Sequence, residues 1–346
     1  MNGCLSTSSK QIPTFAAFEA DFLAFCASPM ASSKGANRPS SIDEKKKNLR
    51  CHIIPAFGAR RLDSITTRDV DAFGMELAKT RSRATVANIM GTLKRMLTVA
   101  KRWGVIDTLP AIQTNKGKPD QIECDQFFSF EETDRLLDAA STEHYALMLV
   151  AIRTGLRTGE LRGLRWSDLD LDGGWLHVRR QIDERDRLGP PKNGKPRLVE
   201  LSWDAVAVLR DHPKRGTLVF PDPDGEPFAV NALERAVKAA CKRAGLLTEG
   251  GTPKRLGGHA LRHTWASHAM MHGIPTRVVM SYGGWGSLAM LERYSHLAPQ
   301  DAQGQMDKLA SNTRRHAPIS GANEQRRTRT GSKTGSTGGV KRKNAS

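Results

Sequence analysis

Apolar residues recur at steps of three and four positions through the first third of the chain, which is the period of an amphipathic helix. Four phenylalanines share one helical face by this spacing: Phe15, Phe18, Phe22 and Phe25. A second helix is expected to begin at Thr66 or Thr67, either of which could cap it, and to run through Leu77. A third spans Arg83 to about Trp103 and carries an apolar stripe beside several basic residues. The pattern predicts a small all-helical domain over residues 13–110.

The composition changes after this region. Residues 111–126 are mostly polar and include a glycine and a proline, so we expect an interdomain linker. Ser129 and Glu132 then form a capping-box pattern ahead of two leucines. This pattern predicts the first helix of a new domain over residues 127–310. A following apolar helix, Glu143 to Thr154, is expected to be buried.

Strand signals appear only in this second domain. Trp175–Val178 follows a pair of glycines, and Arg197–Leu201 follows a loop rich in proline and glycine. The two segments predict one small antiparallel sheet. Helices are predicted to resume near five further positions: Trp203, Val230, Gly258, Pro275 and Ser287. The expected fold class is therefore mainly α, with a small antiparallel β-sheet confined to the second domain.

Charge narrows the choice of partner. The 346 residues include 53 Lys and Arg against 36 Asp and Glu, a formal net charge of +17. Nine of the basic residues and only one acid lie in residues 311–346, which are otherwise rich in Gly, Ser, Thr and Asn. Such a segment lacks the apolar surface that would offset its ordering entropy, so we expect a basic disordered tail. The charge favours nucleic acid as the partner, and a basic surface kept for solubility is the alternative.

Membrane and secreted proteins are both disfavoured. The longest unbroken apolar run, Ala146–Ile152, is much shorter than the roughly 20 residues that span a bilayer. The N-terminal tail, expected over residues 1–12, is polar and lacks the pattern of a secretory signal. The five cysteines are scattered without a CxxC pair, which argues against a disulfide framework and favours a reducing compartment. We therefore expect a cytoplasmic protein with no membrane partner.

The chain has only three tyrosines, and they differ in their surroundings. Tyr145 lies in an apolar helix and is expected to belong to the core, whereas the sequence leaves the role of Tyr282 open. Tyr294 is flanked by Arg293, Ser295 and His296. A phenol has a pKa of about 10, so it becomes a nucleophile at neutral pH only if cations favour the phenolate or a base takes its proton. Tyr294 is the tyrosine whose neighbours in sequence meet that condition.

The segment GHALRHTWASHAMMHG carries the next candidates. His259 and Arg262 are three residues apart, so on a helix they lie on one face and can address one phosphate group together. A competing interpretation pairs His259 with His263 as zinc ligands one helical turn apart. The metalloprotease motif HExxH requires glutamate where this chain has Ala260. We therefore expect no catalytic metal.

A third candidate segment is TGLRTGELRGLRW. Arg157 follows the helix-ending Gly155, and Glu160 lies about one turn further on. A carboxylate in that position could orient the guanidinium group or a histidine. On this segment alone, an ordinary surface arginine is the alternative.

Taken together, these segments resemble the tyrosine recombinase (phage integrase) family, and the resemblance covers residues 13–310. The residues that carry it are Arg157 in GLRTGEL, His259 and Arg262 in HALRHT, Trp285 in GGW, and Tyr294 in RYSHL. Trp285 follows Arg262 by 23 residues and Tyr294 follows Trp285 by nine, spacings similar to those of the family.

The resemblance adds two supporting positions. The family's β-hairpin lysine matches Lys192 in PPKNGKPRLVEL, with Lys195 as a rival because the tip of the hairpin aligns loosely. Glu160 matches the acidic position after the first arginine. Where this chain has Trp285, the family often has histidine. An indole donates one hydrogen bond and packs but cannot exchange protons near pH 7, so Trp285 is expected to bind a phosphate oxygen or to buttress the tyrosine.

The resemblance implies a helical core-binding (SAM-like) domain followed by a catalytic domain with the DNA breaking-rejoining fold. It also implies a mechanism in which Tyr294 attacks a DNA phosphodiester and forms a 3′-phosphotyrosine link. Arg157, His259 and Arg262 would stabilise the charge on the phosphate oxygens, and Lys192 would protonate the departing 5′-oxygen. Because these side chains would stabilise the charge, no metal or other cofactor is expected, and because bond energy is conserved in such an exchange, no ATP is expected.

The implied partners are double-stranded DNA attachment sites of a mobile element, with an accessory directionality factor. A homotetramer on two DNA sites is expected, in which a terminal helix over Pro299–Leu309 docks on a neighbouring protomer. Three alternatives stay open at this point: a type IB topoisomerase, a non-catalytic DNA-binding protein and a metal-dependent hydrolase.

Overall fold

The computed structural model describes four stretches of the chain: residues 11–33, 35–114, 121–192 and 194–298. The predicted basic tail, the predicted terminal helix and residues 1–10 lie outside the described residues. One hydrophobic core lies within residues 11–114, which we call the helical half. Two further clusters lie within residues 121–298, which we call the mixed half.

The helical half contains the three predicted helices and one segment that the apolar pattern misses. Its helices are α1 (Phe15–Ala27), α2 (Pro39–Asn48), α3 (Ile54–Phe57), α4 (Thr67–Ala78) and α5 (Arg83–Arg102), and a π-helical turn (Leu49–Ile53) joins α2 to α3. Thr66 caps α4 through a capping box with Asp69, and the four phenylalanines of α1 are all buried, as predicted. The sequence pattern misses α2 because its residues are nearly all polar, and Leu49 and Ile53, which enter the core, come only after its end.

The mixed half combines helices with two small antiparallel sheets. Its helices are α6 (Phe130–Asp138), α7 (Thr142–Thr154), α8 (Thr158–Arg162), α9 (Trp203–Asp211), α10 (Ala232–Arg243), α11 (Gly258–Met271) and α12 (Thr276–Gly283). Its strands are β1 (Leu169–Asp170), β2 (Trp175–Val178), β3 (Gln181–Ile182), β4 (Leu188–Gly189) and β5 (Arg197–Glu200).

The predicted sheet forms between β2 and β5, with Leu176 opposite Val199, and β1 extends it in the order β1-β2-β5. The strands β3 and β4 form a separate hairpin. The sequence does not predict this hairpin because two residues per strand leave no alternation to detect.

Helix α7 is the central element of the mixed half, since its residues from Ala146 to Ile152 are all buried. The predicted capping box of Ser129 and Glu132 begins α6. The prediction that Tyr145 belongs to the core is wrong: its side chain is 37% exposed, because it lies on α7 just before the apolar run enters the core.

The prediction of a helix near Ser287 is also wrong. The chain there forms two 3₁₀ turns, Leu288–Met290 and Glu292–Leu297. Leu288 and Met290 remain exposed, so this segment has no continuous apolar face whose burial would stabilise an α-helix.

Direct contacts join the two halves at the β3–β4 hairpin and the loop after it. Arg38, which precedes α2, donates a hydrogen bond of 2.9 Å to the backbone oxygen of Pro191. Asp43 of α2 forms ion pairs with Arg187 at 2.8 Å and with Arg185 at 3.0 Å. The loop that carries Lys192 is therefore anchored to the helical half.

No helix within the described ranges is both long enough and apolar enough to cross a membrane. The described cysteines are all free: Cys26, Cys51, Cys124 and Cys241.

Candidate active site

The position of Arg157 is set by the sharp end of α7. Gly155 adopts a left-handed conformation with φ of 62°, which glycine tolerates without a steric penalty. A Cβ atom at this position would lie 2.3 Å from Cε3 of Trp265, so a larger residue could not fit. The chain then reverses, and Arg157 becomes the N-cap residue of α8.

Glu160 is a buried carboxylate held by two arginines. It accepts a hydrogen bond of 2.9 Å from the backbone N–H of Arg157 and one of 3.1 Å from Nη1 of the same residue. Arg197 of β5 donates two further bonds, each of 2.8 Å, one to each carboxylate oxygen. Burial favours a higher pKa, but the hydrogen bonds and positive charges of Arg197 and Arg157 outweigh it and lower the pKa of Glu160. Glu160 therefore fixes Arg157 as a charged carboxylate at neutral pH.

Arg262 lies on α11 and is almost fully buried, with 4% of its surface exposed. Its Nη1 donates to the backbone oxygen of Gly155 and its Nη2 to that of Gly283, both at 2.5 Å. Its guanidinium carbon lies 4.3 Å from the ring centroid of Trp285. Burial, followed by the positive charge of Arg157, lowers the pKa of Arg262 to about 9, so the group stays charged at neutral pH.

The two arginines, which are far apart in sequence, converge on one turn. This turn follows α12, where Gly284 adopts the left-handed conformation with φ of 63°. Arg157 Nη2 lies 3.4 Å from the backbone oxygen of Gly284, next to the carbonyl that Arg262 binds. The folded chain therefore brings the predicted arginines together.

Trp285 follows this turn, and its ring packs against other side chains of the site. Its ring is stacked on Trp265 at a centroid distance of 5.8 Å and lies 6.2 Å from the ring of Tyr294. It thus contacts the guanidinium group of Arg262 and also lies near the tyrosine ring. This arrangement fits the packing alternative that the sequence left open for Trp285.

Tyr294 lies in the second 3₁₀ turn and is 2% exposed. Its hydroxyl group and Nδ1 of His263 are 2.6 Å apart. Burial raises the pKa of Tyr294, although the positive charges of Arg293 and Arg262 act in the opposite direction. The cationic neighbours predicted from the sequence are present, but burial keeps the phenol protonated at neutral pH.

His259 lies one turn before Arg262 on α11. Its side chain reaches the surface, yet close packing still lowers its pKa, and the positive charges of Arg262, Arg157 and Lys192 lower it further. Lys192 is exposed, and its charge acts on His259 from the loop after β4.

Two residues of this site are not among the sequence predictions. Arg197 lies in a predicted strand, where nothing distinguishes it from an exposed basic residue. For His263 the sequence suggests only the zinc-ligand alternative, and its position next to Arg262 in the chain does not indicate a contact with Tyr294. Within the described residues, no group of three or more His, Cys, Asp and Glu side chains is placed to hold a metal ion.

Comparison with known proteins gives two family matches. The family described as "Phage integrase family" matches residues 126–301, and "Phage integrase, N-terminal SAM-like domain" matches residues 30–78. The integrase of Salmonella phage P22 is 31% identical over 232 residues, which are 62% of this chain and 54% of that protein. The chain therefore spans about half the length of this relative.

Solved structures of similar fold include DNA complexes. The integrase of the transposon Tn1549, in complex with a circular intermediate DNA, has a TM-score of 0.70 at 19% identity, covering 86% of this chain and 99% of that one. A lambda integrase tetramer bound to a Holliday junction has a TM-score of 0.62 at 20% identity, covering 81% of this chain and 79% of that one.

Proposed function

The chain belongs to the phage integrase family, and from this premise we propose that it is a site-specific tyrosine recombinase that integrates or excises a mobile element. Its fold is the one expected for the family: an all-helical region followed by a mainly helical catalytic region with small antiparallel sheets. The observation that carries the proposal is the convergence of Arg157, Arg262 and Tyr294 around the turn at Gly284 and Trp285.

The nucleophile in this proposal is the hydroxyl oxygen of Tyr294. It attacks a DNA phosphodiester, forms an O–P bond and releases the 5′-oxygen of the next nucleotide. Negative charge builds on the non-bridging oxygens, where the fixed guanidinium groups of Arg157 and Arg262 and the exposed edge of His259 stabilise it. A 5′-hydroxyl from a second strand then attacks the phosphotyrosine and releases Tyr294. Because the phosphotyrosine retains the energy of the broken bond, the proposed exchange needs no ATP, and the guanidinium groups stabilise the charge without a metal.

The departing 5′-oxygen needs a proton, and we assign this role to Lys192. The positive charge of Lys192, which is exposed on the loop after β4, is among those that lower the pKa of His259, and this supports the assignment. Lys195, three residues further along the same loop, is the rival for this role. Glu160 supports the reaction by fixing Arg157, and Trp285 supports it by packing against Arg262.

The substrate follows from charge and from the relatives. A net charge of +17 suits a polyanion, and the integrase of Tn1549 has been solved on DNA. In this proposal the core-binding domain over residues 13–110 and the catalytic domain over residues 127–310 contact the duplex, with residues 111–126 between them. A homotetramer is proposed by analogy with the lambda integrase tetramer, and an accessory directionality factor would bias integration against excision.

A covalent-trapping experiment tests the proposal. The full chain is incubated, with EDTA present, with a duplex that carries the repeat flanking its coding region and a nick close to the exchange point. The short 5′-hydroxyl fragment diffuses away, so the phosphotyrosine adduct accumulates and migrates slowly on a denaturing gel. We expect an adduct with the wild-type chain, none with Tyr294→Phe, and an unchanged adduct with Tyr282→Phe.

Each outcome discriminates among the candidate functions. An adduct that survives Tyr294→Phe would overturn the assignment of the nucleophile. A reaction that requires added metal would favour a hydrolase, and binding without any adduct would indicate a non-catalytic DNA-binding protein. Relaxation of a supercoiled plasmid that lacks the site would favour a type IB topoisomerase.

A further inference from the structure

We propose that His263 accepts the proton of Tyr294 when the tyrosine attacks DNA. This assignment rests on the proposed recombinase function and names a residue beyond the set that the family resemblance supplies. His263 is a catalytic residue in the strict sense, because its ring nitrogen contacts the attacking oxygen. Its neighbour in sequence, Arg262, instead donates hydrogen bonds to the backbone oxygens of Gly155 and Gly283.

The geometry is that of a proton donor and its acceptor. Nδ1 of His263 and the hydroxyl oxygen of Tyr294 are 2.6 Å apart, within the range required of a general base. The two rings are inclined by 38° with centroids 5.9 Å apart, so the contact is directed through the ring edge. Because Tyr294 is 2% exposed, bulk water has little access to this proton.

The surroundings of the pair set the protonation states of both groups. Burial, then the neighbouring imidazole of His259 and the positive charges of Arg293 and Arg262, lowers the pKa of His263 to about 3. The imidazole is therefore neutral at neutral pH, and one of its nitrogens accepts while the other carries hydrogen. Burial also raises the pKa of Tyr294, so the phenol keeps its proton. In the tautomer that carries its hydrogen on Nε2, the phenol donates and Nδ1 accepts.

Bound DNA makes the imidazole a better base. Besides burial and the nearby imidazole of His259, two cations hold its pKa down: Arg262 on its own helix and Arg293 beside Tyr294. A phosphodiester bound by Arg262 and His259 brings a negative charge that offsets these cations, and an added anion raises the pKa of a nearby imidazole. His263 therefore becomes more basic when the scissile phosphate arrives.

The proposed step balances. The phenolic O–H bond breaks and its proton moves to Nδ1 of His263, while the tyrosine oxygen bonds to phosphorus. The bond from phosphorus to the 5′-oxygen breaks, and that oxygen takes a proton from Lys192. In the rejoining step both proton transfers run in reverse, so His263 returns the proton to Tyr294.

The test separates proton acceptance from positioning and from leaving-group protonation. In His263→Asn, the side-chain oxygen mimics Nδ1 as a hydrogen-bond acceptor but cannot take the proton. In His263→Phe, the ring is kept and the acceptor is lost. Both are assayed in the full chain on the nicked duplex, once with an ordinary phosphodiester and once with sulfur as the bridging 5′-atom. A 5′-thiolate leaves without protonation, so a variant that lacks only the general acid regains activity on it.

We expect both His263 variants to form the adduct about 10²- to 10⁴-fold more slowly on either substrate, the usual contribution of acid–base catalysis. Lys192→Ala should be slow on the phosphodiester and restored by the 5′-sulfur substrate. The rate of His263→Asn should also rise with pH more steeply than that of the wild type, because a phenol without a base must ionise first. His272→Asn, at the C-terminal end of the same helix, is the matched control and should react normally.

Two results would overturn this assignment alone. Near-wild-type cleavage by His263→Asn would show that the nitrogen only positions the phenol, and rescue of His263→Phe by the 5′-sulfur substrate would place His263 on the leaving-group side. Unchanged DNA affinity and thermal midpoint of the variants exclude misfolding as the cause of slow cleavage. Absence of an adduct with the wild-type chain would instead overturn the proposed function, and this assignment with it.

Discussion

Replacing Arg197 by methionine tests whether one buried ion pair organises the site. Arg197 donates two hydrogen bonds to Glu160 and a third, of 2.6 Å, to the backbone oxygen of Tyr282. Methionine fills similar space but leaves the carboxylate of Glu160 with only the hydrogen bonds and charge of Arg157. Removing one partner of a buried pair costs about 3–5 kcal/mol, because the remaining charge is then inadequately compensated. This is a large fraction of the about 5–15 kcal/mol that stabilises a typical domain.

The expected loss of stability in Arg197→Met depends on pH in a defined direction. In the wild-type chain the pKa of Glu160 lies below its ordinary value of 4.5, so its contribution to stability is complete above that pH and is lost as the pH falls through the lowered pKa. In Arg197→Met, burial, which is the largest influence, is opposed only by Arg157, and we expect the pKa to rise above 4.5. The variant then gains stability as the pH falls from 7, since protonation removes the poorly compensated charge.

Urea unfolding of both chains at pH 7.5 and pH 4.5 measures this directly. We expect the difference in unfolding free energy between wild type and variant to be largest at pH 7.5 and clearly smaller at pH 4.5. Arg210→Met is the matched control, because Arg210 pairs with Asp172 at 2.7 Å on the exposed surface. That pair is expected to contribute about 0–1 kcal/mol at either pH. An Arg197→Met cost as small as that of the control, or one that does not change with pH, would refute the reasoning.

Three further predictions concern DNA. Arg262→Lys should lose cleavage although it keeps a positive charge, because an ammonium group lacks the planar fork that binds two carbonyls and a phosphate. Adduct formation on the nicked duplex measures this, and near-normal cleavage would contradict it. Lys192→Ala should slow cleavage of the ordinary phosphodiester far more than Lys195→Ala does, and single-turnover rates that fall in the opposite order would transfer the acid role to Lys195. Deleting residues 311–346, with their nine Lys and Arg, should weaken DNA binding and reduce the dependence of the binding constant on salt concentration. Titrations at several salt concentrations measure this dependence. An unchanged slope of the logarithm of the binding constant against that of the salt concentration would mean that this segment makes no phosphate contacts.

Local pattern predicted the elements whose signal is contained within a few residues. The phenylalanine face of α1, the capping box at Ser129 and a threonine cap on α4, expected at Thr66 or Thr67, are of this kind, since side-chain spacing and type determine them. The prediction of a helix near Ser287 failed because a helix depends on the surface it can bury, and the first apolar residues of this segment, Leu288 and Met290, stay exposed. Tyr145 failed for a related reason: its own helix is buried, but only beyond its first turn.

The residues of the candidate site also divide into those that a local motif predicts and those that it does not. Arg157, Arg262 and Tyr294 are recognisable because each lies in a distinctive short motif, and the fold then brings the three together. Arg197 and His263 have no motif of their own for these roles. Arg197 matters because β5 places it against a carboxylate that lies at the start of another helix, and His263 matters because a distant turn returns to it. Contacts of this kind depend on tertiary structure, which no spacing rule encodes.

The loop that carries Lys192 is attached to the helical half, and this attachment has a consequence for the proposed reaction. Tyr294, Arg157 and Arg262 are held by elements of the mixed half, whereas the loop with Lys192 depends on Arg38 and Asp43 of the helical half. In the proposed reaction, nucleophilic attack therefore uses groups held by the mixed half alone, whereas the protonation of the departing oxygen uses a loop that contacts both halves.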